Sequence, residues 1–259
     1  MRGAGRCREE SYVKAEPVAQ QALLDLQGKD SALAQLTHRR KSLPEHAEIA
    51  AADGRIRELD ARRIEVQTRV SDLARAAAKA DTEVELVKTR RTRDEDRLSS
   101  GAITNPKDLS SLQSELEALA RRIATLEDEE LEVMEQLEAA QAELAEAEAA
   151  LAQENAAREV LVAARDEKVA TFDAEAAQLV AARKLVLPRV PADLLALYEK
   201  VAGSHSGLGA AELRARRCTG CHIEINGADL RELAAEPADT VLRCPECSRI
   251  LVRTPESGV

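Results

Sequence analysis

Apolar side chains recur at alternating steps of three and four along two long stretches of the chain. In the first the a and d positions are Ile49, Ala52, Ile56, Leu59, Val66, Val70, Leu73, Ala77, Ala80, Val84 and Val87, with the charged Arg63 and Arg91 also on the repeat. In the second they are Leu109, Leu112, Leu116, Leu119, Ile123, Leu126, Val133, Leu137, Ala140, Leu144, Ala147 and Leu151, with the charged Glu130 also on the repeat. This is the seam of a left-handed coiled coil. Helical signal begins near Pro17, is interrupted at Leu43 and Pro44, and stops at about Leu98. It resumes near Lys107 and continues to Lys184, where Pro188 and Pro191 end it. Pro106 sits where a first-turn proline is tolerated, and Asn105 is placed to cap. The break between the stretches is short, so the two helices are expected to fold back antiparallel.

Pairing residues whose numbers sum to 203 superimposes the two seams, with Leu59 on Leu144, Val66 on Leu137 and Val84 on Leu119. A heptad pattern also permits slips of seven. Residues 171–185 and 19–36 are expected to meet at the base of the hairpin. Residues 191–201 read as a short helix, and Gly203 to Gly209 as a flexible connector. Beyond it the pattern changes to short strand-like pieces at 212–216, 241–243 and 250–253. The expected organisation is an extension outside the fold at 1–16, a hairpin at 17–187 with its tip at 99–106, a helix and connector at 188–209, a small domain at 210–254 and a tail at 255–259. We expect translation to begin at Val13. The fold class is mainly α: a long antiparallel coiled-coil helical hairpin plus a small β-containing C-terminal module.

Composition supports rods over globules. Of 259 residues only Tyr12, Phe172 and Tyr198 are aromatic, and there is no Trp. Aromatic side chains supply much of a globular core, so sandwiches, barrels and a large compact domain are disfavoured. Residues 55–97 carry 12 Lys/Arg and 10 Asp/Glu, whereas residues 107–150 carry 3 and 13. A near-neutral, Arg-rich arm beside an acidic one favours their pairing, although each exposed pair contributes little. The formal net charge of −10 argues against a general polyanion binder or an anionic-membrane binder. No run of eighteen apolar residues and no signal-peptide core is present, so a cytoplasmic location is expected.

Four of the five cysteines form two Cys-x-x-Cys pairs, Cys218/Cys221 and Cys244/Cys247. Two such pairs at this separation point to a four-thiolate metal site. Zinc takes four ligands tetrahedrally, and a full set of protein thiolates leaves no position for water or substrate. One structural Zn2+ is therefore expected, and it supplies the folding free energy that a small module without aromatics lacks. Thioredoxin-type redox chemistry needs only one pair. A rubredoxin-type iron site has similar spacing, but no aromatic here shields it. Disulfides require an oxidising compartment. Cys7 reads as a free thiol, and His222 as a surface or supporting residue.

Three features together resemble a bacterial family. They are the tip segment from Gly101 through Asn105, Pro106, Lys107 and Asp108 to Gln113, the acidic run after Leu126, and the four-cysteine module ending in Arg253. The family is that of the four-cysteine zinc-ribbon, coiled-coil hairpin proteins, and the resemblance covers residues 14–254. It implies a long helical hairpin with a zinc ribbon, links to RNA binding, and links to regulators of transcription, including an alternative sigma factor. The 28 Arg against 9 Lys are expected of a high-GC bacterium.

The expected function is a non-catalytic adaptor that presents interaction surfaces on its coiled-coil arm. The expected partner is a protein, with the transcription machinery as the candidate, in a transcription- or RNA-related assembly. Asn105, Lys107 and Asp108 are the candidate partner contacts, although a turn-and-cap role is the better account of Asn105 taken singly. The alternative is a direct RNA- or DNA-binding regulator using Arg214, Arg216, Arg217, Arg243, Arg249 and Arg253. Against it, residues 210–259 hold seven Arg and eight Asp/Glu, and no aromatic platform stacks bases. No nucleophile–base pair, phosphate-cradling loop or open metal is legible, so neither an enzyme nor a small-molecule or membrane partner is expected.

Overall fold

The computed structural model describes residues 13–101 and 103–258. Its elements are α1 (Pro17–Lys41), α2 (Pro44–Ser99), α3 (Pro106–Val186), a 3-10 turn (Leu187–Arg189), α4 (Ala192–Ser204), β1 (Ala210–Arg214), β2 (Arg217–Cys218), α5 (Gly227–Ala235), β3 (Leu242–Arg243) and β4 (Ile250–Arg253). They fall into two compact units. One holds residues 45–163. The other combines the N-terminal residues to 44 with residues from 164 onward.

Residues 45–163 form the coiled coil. The buried apolar residues of α2 and α3 are Ile49, Ala52, Val66, Val84, Leu112, Ile123, Leu126, Ala140 and Ala147, and all lie on the predicted seam. α2 stops at Ser99, where the hydroxyl groups of Ser99 and Ser100 turn back onto carbonyls of the last turn. α3 restarts at Pro106, with the Asn105 side chain accepting from the Lys107 N–H at 3.0 Å.

The register differs from the expected one. Cross-arm ion pairs join Asp53 to Arg158, Arg55 to Glu154, Arg62 and Arg69 to Glu143, Lys88 to Glu127 and Arg90 to Glu115. Their numbers sum to between 205 and 215 and centre near 210, one heptad away from 203. The offset sets Val84 level with Leu126, both buried, and carries Leu109 past the end of α2. Leu109 is accordingly 36% exposed despite its seam position. A seven-residue repeat is blind to slips of seven. Charge pairing and the geometry of the turn choose between them.

The second unit is built around a four-stranded sheet of order β2-β1-β4-β3. β1 runs parallel to β4, and the outer pairs are antiparallel. Successive β4 side chains face opposite sides, as a strand requires. Ile250 and Val252 join Ala22, Leu23 and Leu26 of α1 and Leu194, Tyr198 and Val201 of α4 in one core. Leu251 faces the other way, into a smaller core with Leu213, Cys218, Ile225, Leu230, Leu242 and Cys244. The base pairing expected between 19–36 and 171–185 is present: Arg183 Nε meets Asp30 at 2.7 Å and Arg40 meets Asp173 at 2.9 Å. Tyr198, the one aromatic in this core, donates its hydroxyl to Asp30 at 2.8 Å.

Several boundaries move. The ribbon does not stand apart from the helices, because α1 and α4 cover one face of its sheet. Gly203–Gly209 is not a loose connector. α4 extends through Ser204, and Gln27 of α1 accepts from the N–H groups of Gly209 and Ala210 and donates to the Gly207 carbonyl. A Cβ on Gly209 would stand 2.7 Å from the Tyr198 carbonyl oxygen, so only glycine fits there. Residues 13–15 are not an extension either. Val241 N–H donates to the Val13 carbonyl and Ala15 N–H to that of Asp239, at 3.2 and 2.8 Å. Residues 1–12 lie outside the described residues. The expected tail also packs: Ser257 is buried, and its hydroxyl donates to the Leu213 carbonyl. α5, whose Asn226 cap accepts from the N–H groups of Ala228 and Asp229, is an element the strand-like reading missed.

Candidate metal centre

The cysteine pairs occupy two similar turns. The first begins where β2 ends, at Cys218. The second follows β3, at Cys244. In each, the residue after the second cysteine returns its N–H to the first cysteine's carbonyl: His222 to Cys218 at 2.8 Å and Ser248 to Cys244 at 2.9 Å. Both closing residues adopt positive φ, 60° at His222 and 59° at Ser248. Neither is glycine, so each turn holds local strain. Thr219 fixes the first turn to β1, its hydroxyl accepting from the Glu212 N–H at 2.9 Å. The sequence reading overlooked Thr219, whose place inside the Cys-Thr-Gly-Cys turn was its only signal.

The four Sγ atoms lie within 4.8 Å of one another. Cys218 and Cys247 are 3.9 Å apart, as are Cys221 and Cys244. A disulfide would need about 2.05 Å. Four sulfurs around zinc at about 2.3 Å stand about 3.8 Å apart, so the thiols fit that ion. Cys218 and Cys244 are buried, and Cys221 and Cys247 are half-buried. Burial pushes the Cys218 thiol up and the Cys244 thiol up to about 12, although backbone N–H groups of each turn point at the sulfur. Cys247 also loses hydration. There the N–H of Arg249 and neighbouring donors outweigh burial and bring it down to about 7. His222 is exposed and outside the thiol cluster.

Most of the predicted arginines have partners within the ribbon. Arg214 pairs with Glu256 at 2.7 Å and Arg217 with Glu224 at 3.4 Å. Arg243 donates to the Ser248 carbonyl. Arg249 donates to the carbonyls of Leu208 and Gly220. Arg253 donates to the carbonyls of Glu236 and Pro237, just past α5. Arg216 alone of the six has no such bond among the described residues. It sits in the β1–β2 turn, held by the C-terminal segment: Ala215 and Arg216 donate their N–H groups to the carbonyls of Glu256 and Ser257. In the coiled-coil unit, Asn105 and Asp108 line a shallow cleft with Arg97, Thr104, Ser111 and Glu115, and Lys107 is exposed beside it.

The family model described as the CT398-like coiled coil hairpin domain matches residues 26–206, and that of the C4-type zinc ribbon domain matches residues 217–251. The chain belongs to the CT398-like coiled-coil hairpin family. Within that family, an uncharacterized protein of Mycobacterium tuberculosis strain H37Rv is 34% identical over 241 residues, 93% of this chain and 98% of its own length. A Mycobacterium leprae protein is 28% identical over 85% of this chain and 94% of its own. A solved structure from Mycobacterium smegmatis is 33% identical with a TM-score of 0.81, covering 93% of this chain and all of that one. The structure of CT398 from Chlamydia trachomatis shares the fold at 18% identity and a TM-score of 0.65, over 91% and 98% of the two chains. The mycobacterial relatives agree with the Arg-over-Lys bias of a high-GC genome. As a C4-type ribbon with four convergent thiols, the module holds one structural zinc through Cys218, Cys221, Cys244 and Cys247. No helix among the described residues is long and apolar enough to cross a membrane.

Proposed function

We propose that the chain is a non-catalytic adaptor, presenting protein-interaction surfaces on its coiled-coil arm in a transcription- or RNA-related assembly. One observation supports this reading over direct nucleic-acid binding: three of the six ribbon arginines donate to backbone carbonyls of the ribbon and two more pair with surface glutamates. Phosphate contacts need such groups free. At the tip, Lys107 and Asp108 remain exposed, while Asn105 is occupied as a cap. The four-thiolate set leaves zinc no open position for substrate. The family resemblance supports a transcription- or RNA-related assembly, and a cytoplasmic location accords with it.

The second reading, an RNA- or DNA-binding regulator, is favoured by Arg216, which stands between Arg214 and Arg217 without a side-chain partner among the described residues. One experiment separates the two. Binding to RNA and DNA is measured at low and physiological salt for the wild type and for Arg214→Glu, Arg216→Glu and Arg217→Glu. Affinity capture is compared for the wild type and for Lys107→Ala and Asp108→Ala. The adaptor reading expects no arginine-dependent nucleic-acid binding, together with a discrete protein lost on tip substitution. Binding that survives physiological salt and vanishes in the arginine variants favours the second reading.

A further inference from the structure

Arg249 belongs to the second cysteine turn through its backbone. Its carbonyl accepts from the Cys244 N–H at 2.9 Å, and its own N–H points at the Cys247 sulfur. Its side chain then leaves that turn and crosses to the first. Nη1 donates to the Gly220 carbonyl at 3.3 Å, and Nε donates to the Leu208 carbonyl at 3.0 Å. The crossing is close: a Cβ on Gly220 would stand 2.9 Å from Arg249 Cδ and 3.0 Å from Ala211 Cβ. Glycine at 220 therefore makes room for this side chain. Arg243, by contrast, stays within its own turn, on the Ser248 carbonyl. Arg214 and Arg217 bind carboxylates.

We propose that Arg249 is the positioning residue of the zinc site: its side chain fastens the Cys218–Cys221 turn to the Cys244–Cys247 turn and offsets the negative charge of four thiolates around one divalent ion. Outer partners of metal ligands orient them, and losing one typically lowers metal affinity about 10- to 100-fold. Arginine suits the task because its planar fork reaches two acceptors at fixed angles. Lysine carries the charge on a single rotatable head and cannot reproduce the bridge.

The test is zinc release from the full-length protein into excess 4-(2-pyridylazo)resorcinol, for the wild type, Arg249→Gln, Arg249→Lys and Arg214→Gln. Arg249→Gln is expected to release zinc about 10- to 100-fold faster. Arg249→Lys falls between it and the wild type, and Arg214→Gln matches the wild type. In cobalt-substituted protein the thiolate-to-cobalt band moves in both Arg249 variants, because loss of the bridge turns the Cys218–Cys221 thiolates relative to the metal. Loosened packing elsewhere does not shift that band. Wild-type release rates and an unmoved band in both variants overturn the proposal. If Arg249→Gln does not fold, Arg249→Lys decides: faster release with a shifted band supports the role, and wild-type behaviour sinks it.

Discussion

At the residue scale, the thiols govern how tightly zinc is held at a given pH. Cys218 and Cys244 sit above the ordinary thiol value because burial disfavours the thiolate, and Cys247 sits at about 7. Between pH 7 and 9 the metal-free site thus keeps protons on at least Cys218 and Cys244, and zinc must displace them. The sign follows: acidification favours the protonated thiols and weakens zinc. With at least two protons released per ion, affinity is expected to fall at least about 100-fold per pH unit from pH 9 to 7, and more steeply below 7 as Cys247 also takes up a proton. Chelator competition across that range measures the slope. A slope of one proton or fewer contradicts it.

At the element scale, register is the sharpest expectation. With the arms offset near 210, Val66 and Leu144 lie level, whereas Leu59 and Leu144 are about seven residues, roughly 10 Å, apart along the axis. Val66→Cys with Leu144→Cys is expected to cross-link on mild oxidation, and Leu59→Cys with Leu144→Cys to remain reduced, as read on non-reducing gels of zinc-loaded protein. The reverse outcome restores the 203 pairing. This also marks what the sequence made legible. The seam, the turn between Ser99 and Pro106 and the four ligands were readable, because a 3.5-residue period and paired Cys-x-x-Cys turns are local signals. The offset was not, because periodicity cannot count repeats. Nor were the arginine roles: Arg243, Arg249 and Arg253 bind carbonyls that only the folded chain brings near. Gln27 is similar, since its partners at Gly209 and Ala210 lie 182 and 183 residues away.

At the scale of the whole molecule, the zinc ribbon and the first helix are one cooperative piece. Ile250 and Val252 of β4 share a core with Leu23 and Leu26 of α1, and Gln20 of α1 donates to the Ala238 carbonyl at 3.1 Å. Chelating zinc is therefore expected to loosen more than the cysteine turns. Hydrogen exchange should speed up at amides of α1 and of residues 239–252, while the amides around Val66 and Val84, in the other unit, keep their protection. Unchanged exchange in α1 after complete zinc removal shows that the helix docks without the metal.

The pairing of Lys14 with Asp239 spans 225 residues, and that distance has a cost during synthesis. α1 is made about 200 residues before the strands that cover it. At about 5–20 residues per second, the helix waits roughly 10–45 s for its cover. During that interval the apolar side chains of α1 stand open to water.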